Sequence, residues 1–167
     1  SLGNHDDPQE QRNYKLFNMD GKRYYSFKPD TKQSVRFFVL ETSYPTPEQI
    51  AVYKATYAAL QEAKKVVKPG VTCADIDRRA RQVITDAGFG PGYKVPGLPH
   101  RTGHGIGLDG HEWTNFVKGN TTKIQPGMCF SDEPTIAIYG EFGIRLEDCL
   151  HITDTGPQMF TPRSPSI

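Results

Sequence analysis

The sequence predicts an α+β domain in which two helices pack on one face of a mainly antiparallel sheet. Two aromatic, β-branched segments come first, two capped amphipathic helices follow, and the remainder reads as short strands and turns. A chain of 167 residues is long enough for one such domain with its own core. "KRYYSFKP" (22–29) and "QSVRFFVLET" (33–42) are separated by "PDTK" and form the hairpin. The first helix has Thr46 as its cap, Pro47 at the first helical position and Gln49 closing a capping box. Ile50, Tyr53, Tyr57 and Leu60 make its apolar face, and Pro69-Gly70 stop it. The second helix follows Thr72, with Asp75 as box partner; it turns Ile76, Val83 and Ile84 inward and ends at Gly88. Strands are expected around 100–107 and within 127–139 and 142–153. The organisation is therefore 1–45, a hairpin-bearing segment; 46–155, the helix-and-sheet domain; and 156–167, a loose tail whose Pro and Ser leave little to bury. The pieces are expected to form one structural domain.

Composition narrows the function. A formal charge of +1 gives no attraction to nucleic acid or to an anionic membrane. No apolar run approaches the roughly 20 residues of a membrane span, and the first residues lack the basic-then-apolar form of a signal peptide. Cys73, Cys129 and Cys149 are odd in number and widely spaced, which predicts free thiols and a cytoplasmic location.

The chemistry concentrates in "HRTGHGIGLDGHEW" (100–113), which holds three of the five histidines and four glycines. Divalent metals of hard or borderline character take carboxylate oxygen and neutral imidazole. Glycines around His104 would let the backbone approach a metal or substrate closely. Glu133 and Glu147 each sit inside an apolar strand, and an acid on the buried side of a strand is costly unless a cation holds it. Spacing alone leaves plainer readings open. His104 can be a core histidine bonded to backbone, Glu133 can answer a lysine, and Glu147 can pair with Arg145.

Four blocks, "KPGVT", "HRTGHGIGLDGHE", "IQPGMCFSDEP" and "GIRLEDCLHIT", follow one another between Thr46 and Thr153. In order and spacing they resemble the C-terminal half of the pita-bread metallopeptidases, the family of methionine aminopeptidase, proline aminopeptidase and proline dipeptidase. The "HRTGHGIG…HE" form is closest to the proline-specific branch. The resemblance implies half of a pita-bread fold and a metal-dependent hydrolase of the Xaa-Pro peptidase type. His104, Glu133 and Glu147 match the metal ligands, with Glu133 also accepting the proton of the attacking water and Glu147 bridging two metals. His100 and His111 match histidines that face the substrate, and Arg145 an arginine held near the bridging glutamate. The implied cofactor is a divalent metal (Mn, Co or Zn), and the implied partner is a peptide substrate.

Two further aspartates complete the site in that family, and the resemblance places them near positions 22 and 33, where this chain has Lys22 and Gln33. Asp20 and Asp30 lie close by, but their spacing is ten rather than eleven, and a one-residue shift turns a strand side chain to the other face. The opening "SLGNHDD" and the strands "YYSFK" and "VRFFVLET" instead resemble calcineurin-like metallophosphoesterases, in which Asn4 would bind metal and His5 would assist phosphate chemistry. The chain thus reads as a chimera joined at about 43–46. Its incomplete dinuclear site is expected to hold one divalent metal or none, with weak or no peptide hydrolysis. Two rival readings remain, a non-catalytic chimeric module with vestigial motifs and a phosphoesterase-type hydrolase. The open edge of a half-fold also predicts a homodimer.

Overall fold

A computed structural model describes residues 45–162 together with the backbone of 24–27 and 37–40. Asn4, His5, Asp20 and Asp30 lie outside the described residues. The chain divides into two compact units, residues 1–51 with 138–142, and residues 52–137 with 143–167. In the first, β1 (Tyr24–Phe27) and β2 (Phe37–Leu40) pair antiparallel, with Tyr24 opposite Leu40 and Phe27 opposite Phe37, as the hairpin reading expects.

The helices are α1 (Pro47–Val66) and α2 (Cys73–Asp86). Both capping boxes form. The Gln49 amide donates to Thr46 Oγ1 (3.1 Å) while the Thr46 amide donates to Gln49 Oε1 (2.8 Å). Thr72 and Asp75 reciprocate at 3.2 Å each way. The buried stripe of α1 differs from the one expected: Val52, Ala55, Ala59, Leu60 and Ala63 are buried, Tyr53 and Tyr57 are half-buried, and Ile50 is 40% exposed. Alanines add little to a hydropathy pattern, yet Ala55, Ala59 and Ala63 take buried positions, so the buried stripe does not follow side-chain size. On α2, Cys73, Ile76, Ala80 and Ile84 form the inward stripe, and Val83 is half-buried at its edge.

Five strands make the main sheet in the order β4-β3-β5-β8-β9, all antiparallel. They are β3 (Gly103–Gly105), β4 (Glu112–Phe116), β5 (Cys129–Asp132), β8 (Asp148–Thr153) and β9 (Gly156–Met159). A separate two-stranded ribbon joins β6 (Thr135–Ile138) to β7 (Phe142–Arg145). The architecture is the expected α+β half-fold. One correction concerns the tail: Gly156–Met159 is a strand paired with β8, with Leu150 opposite Met159, because the Asp154-Thr155 turn, closed by the Thr153–Gly156 pair, returns the chain to the sheet.

The core lies between helices and sheet. Phe116 and Phe130 stack at 4.5 Å between ring centroids, and Ile76, Leu150 and Ile152 are fully buried as well. Each such side chain contributes roughly 1.5–3 kcal/mol by leaving water. The three cysteines are free, and burial pushes the Cys73 thiol up to about 11. Among the described residues, no helix is long and apolar enough to cross a membrane.

Candidate metal centre

β3 is the strand that presents the central histidine, and its glycines are there for its neighbours. A Cβ on Gly103 would sit 2.1 Å from the Ser131 carbonyl oxygen of β5, and one on Gly105 would sit 2.6 Å from the Trp113 carbonyl of β4. The strand is squeezed between two others, so flanking side chains are excluded on steric grounds. Gly107 plays a related part, since a Cβ there would meet the Glu112 carboxylate at 2.5 Å. The glycines thus admit protein backbone and a protein side chain, in place of the metal or substrate that the glycine spacing suggests.

His104 is 4% exposed and fixed at three atoms. Its amide donates to Ser131 Oγ (3.1 Å), and the Ser131 hydroxyl donates back to the His104 carbonyl (3.4 Å). Ring Nδ1 lies 2.9 Å from the Gly105 carbonyl, and a carbonyl only accepts, so Nδ1 carries the proton. Nε2 is then free to offer its lone pair, the tautomer that metal-binding histidines adopt.

Glu133 follows directly on β5 and is 2% exposed. Its amide donates to the Thr102 carbonyl (2.7 Å), which ties it to the approach to β3. Arg145 Nη1 stands 3.1 Å from its Oε2, while Oε1 lies 3.4 Å from His104 Nε2 and 3.5 Å from Arg101 Nε. Oε1 is buried and has no hydrogen-bond partner among the described residues. Glu147, exposed and just ahead of β8, brings its carboxylate into the same group, so that ligand atoms of His104, Glu133 and Glu147 all lie within 4.8 Å of one another. Two carboxylates and one imidazole lone pair, one oxygen of them orphaned, make a donor set that fits a divalent cation.

Of the flanking histidines, His111 is exposed and its ring sits over that of His104, with centroids 4.4 Å apart. His100 is held through carbonyls: its Nδ1 donates to the Arg101 carbonyl (3.0 Å), and its own carbonyl accepts from the Arg81 guanidinium (2.5 Å). Arg145 pairs with Glu133 and donates to the Thr135 hydroxyl (3.0 Å); no ion pair between Arg145 and Glu147 occurs among the described residues.

Residues absent from the sequence reading hold this arrangement in place. Asp77 and Arg81 form a buried pair on α2, with Arg81 Nε 2.9 Å from Asp77 Oδ2. Arg81 also donates to the carbonyls of Gly92 (2.8 Å), Leu98 (2.7 Å) and His100, and Tyr93 covers its guanidinium at 3.7 Å. Thr102 closes the knot by donating to Asp77 Oδ1 (2.7 Å). Segment 98–102 is therefore clamped to α2 just before His104. The available signal was a pair of opposite charges four apart beside the apolar stripe of α2.

Next to Glu133 in sequence, Asp132 is buried with neither oxygen hydrogen-bonded among the described residues, and burial holds its carboxyl well above the usual range, reinforced by Asp148 and Glu133 and opposed by Lys64. Lys64 of α1 is itself paired with Asp148, the residue opposite Asp132 across β5 and β8.

Comparison with known proteins bears on the family and the fold. Residues 31–154 match the model of metallopeptidase family M24. An Xaa-Pro dipeptidase of Lactobacillus delbrueckii subsp. lactis is 37% identical over 152 residues, which cover 91% of this chain and 38% of the relative. The chain thus spans under two-fifths of the length of that relative. Among solved structures, dipeptidase PepE from Mycobacterium ulcerans aligns with a TM-score of 0.67 at 40% identity, over 72% of this chain and 31% of that one. The prolidase from Pyrococcus horikoshii OT3 aligns with a TM-score of 0.68 at 30% identity, over 77% and 35%. Both sequence matches cross position 45, so the family likeness runs through the proposed junction at 43–46. The chain belongs to metallopeptidase family M24.

Proposed function

We propose that this chain is an Xaa-Pro dipeptidase-type domain that holds one divalent metal through His104, Glu133 and Glu147. The observation that carries this reading is the orphaned, buried Glu133 Oε1 beside the lone pair of His104 Nε2, within reach of Glu147. When bound, such a metal supplies a Lewis acid that polarises a peptide carbonyl. Glu133 is the group that accepts a proton during attack, and Arg145 balances its second oxygen. His111, exposed over His104, is positioned to donate a hydrogen bond to the oxygen on which charge develops. His100 is given a substrate-facing role by resemblance.

Three protein ligands leave positions open, whereas a dinuclear site needs more oxygen donors than the described cluster offers. With Lys22 and Gln33 at the two expected aspartate positions, we read the site as mononuclear and weakly hydrolytic, with Mn, Co or Zn as its ion. On the same reading, segment 1–45 supplies the β1–β2 hairpin, whether by graft or by divergence, and β4 and β9, the edge strands of the main sheet among the described residues, favour pairing of two copies.

Calorimetric titration of the 167-residue chain with Mn²⁺ and Zn²⁺, alone and as His104→Ala, tests the metal reading. One bound ion, lost in the variant, supports it; no binding leaves a non-catalytic module. Assay of an Xaa-Pro dipeptide with added Mn²⁺ tests the activity. Rapid cleavage abolished by Glu133→Ala would contradict the expectation of weak hydrolysis.

A further inference from the structure

Arg101 has no part in the chemistry described so far, yet its guanidinium faces the oxygen on which that chemistry depends. Its Nε lies 3.5 Å from Glu133 Oε1, the oxygen that His104 Nε2 approaches at 3.4 Å. Its Nη1 donates to Asn115 Oδ1 (3.0 Å) on β4, which holds the group at the site. The side chain is 26% exposed, against 46% for Arg145, and its Nε is shielded from water without a hydrogen-bond partner. A cation shared by His104 and Glu133 would therefore meet a second positive charge beside the same oxygen.

Distance decides what that charge does. Charge-assisted hydrogen bonds run at about 2.7–2.9 Å, so at 3.5 Å Arg101 orients Glu133 only weakly. Coulomb interaction falls slowly with separation and doubles for a divalent ion, so repulsion of the metal persists where the orienting bond does not. We propose that Arg101 is a built-in counter-ion of Glu133: it balances the buried carboxylate in the metal-free protein and competes with the incoming metal, setting affinity low. This rests on the metal reading above and adds a determinant of that site's affinity.

The test is Mn²⁺ titration of the whole chain and of Arg101→Gln, Arg101→Lys and Glu133→Gln, with melting temperatures of all four and of the double variant Arg101→Gln/Glu133→Gln in the metal-free state. Arg101→Gln should bind Mn²⁺ about tenfold tighter or more, and Arg101→Lys should stay near the parent chain. Metal-free Arg101→Gln should melt lower than the parent, and the loss should vanish on the Glu133→Gln background. Unchanged or weaker binding by Arg101→Gln overturns the competition while leaving the metal site standing. Absence of binding in both the parent and Arg101→Gln identifies failure of the metal reading and of competition together. Equal melting losses with and without the Glu133 carboxylate overturn the counter-ion role whatever the metal does.

Discussion

Asp77 and Glu133 are both buried acids facing arginine, with side chains 1% and 3% exposed, but their surroundings are opposite in kind. Around Asp77 the polar groups are matched: Arg81 takes both its oxygens and three backbone carbonyls, and Thr102 donates to Oδ1. Around Glu133, Oε2 has Arg145, while Oε1 is ringed by His104 and Arg101 at distances too long for a bond. A satisfied buried network fixes a conformation. An unsatisfied one costs stability and persists where it can be completed by a ligand. The difference separates a clamp from a site, although the two are joined through Thr102, whose hydroxyl serves the clamp and whose carbonyl accepts the Glu133 amide.

If that contrast is right, damage to the clamp should be large and structural. Arg81→Met removes a buried charge from beside Asp77 and orphans three carbonyls, and is expected to cost about 3–5 kcal/mol of unfolding free energy by denaturant titration. Gly103→Ala sets a methyl 2.1 Å from the Ser131 carbonyl, which requires β3 and β5 to part. A loss of about 1–3 kcal/mol should follow, together with weaker metal binding as His104 moves. Glu133→Gln sharpens the contrast from the other side. It keeps the shape and removes a half-satisfied charge, so metal-free stability should change by less than about 1 kcal/mol while Mn²⁺ binding disappears. A stability loss as large as that of Arg81→Met would place Glu133 in the clamp class.

The smallest expected effect is electrostatic and local. Asp75 is held below its ordinary 3.8 by the hydrogen bond from Thr72 first and then by that from Arg78. Its folded value is depressed, so its contribution is present above 3.8 and fades as pH falls from there through the folded value. The difference in melting temperature between the parent chain and Asp75→Asn should therefore be seen near neutrality and shrink below about pH 4. A difference that persists undiminished at lower pH would show that the carboxylate charge plays no part in the cap.

What could be read from the chain follows the range of the interactions involved. Capping boxes are local, three residues apart, and both Thr46–Gln49 and Thr72–Asp75 formed as expected. The three cluster residues stood out because acids in apolar surroundings and a histidine among glycines are conspicuous, and because four ordered blocks resemble one family; the structure corrects their setting, since Glu133 follows β5, Glu147 precedes β8 and only Glu133 of the two is buried. The Asp77–Arg81 clamp was not, since its partners at Gly92, Leu98 and His100 are carbonyls, which no side-chain pattern marks. Arg101 sat in plain view in "HRTGH", but its relation to Glu133 depends on how β3 and β5 come together. The inward face of α1 differs from its hydropathy pattern because a buried alanine looks neutral in such a pattern. For β9, four residues without strong β propensity join the sheet by pairing with β8, a tertiary gain that composition does not announce.

The claim on which the rest depends is that His104, Glu133 and Glu147 share one cation. Crystals grown with Mn²⁺ and measured for anomalous scattering address it without reference to activity. The account predicts one peak within about 2.0–2.6 Å of His104 Nε2 and of an oxygen from each glutamate. A map with no peak there, or with the ion held by other residues, would contradict it.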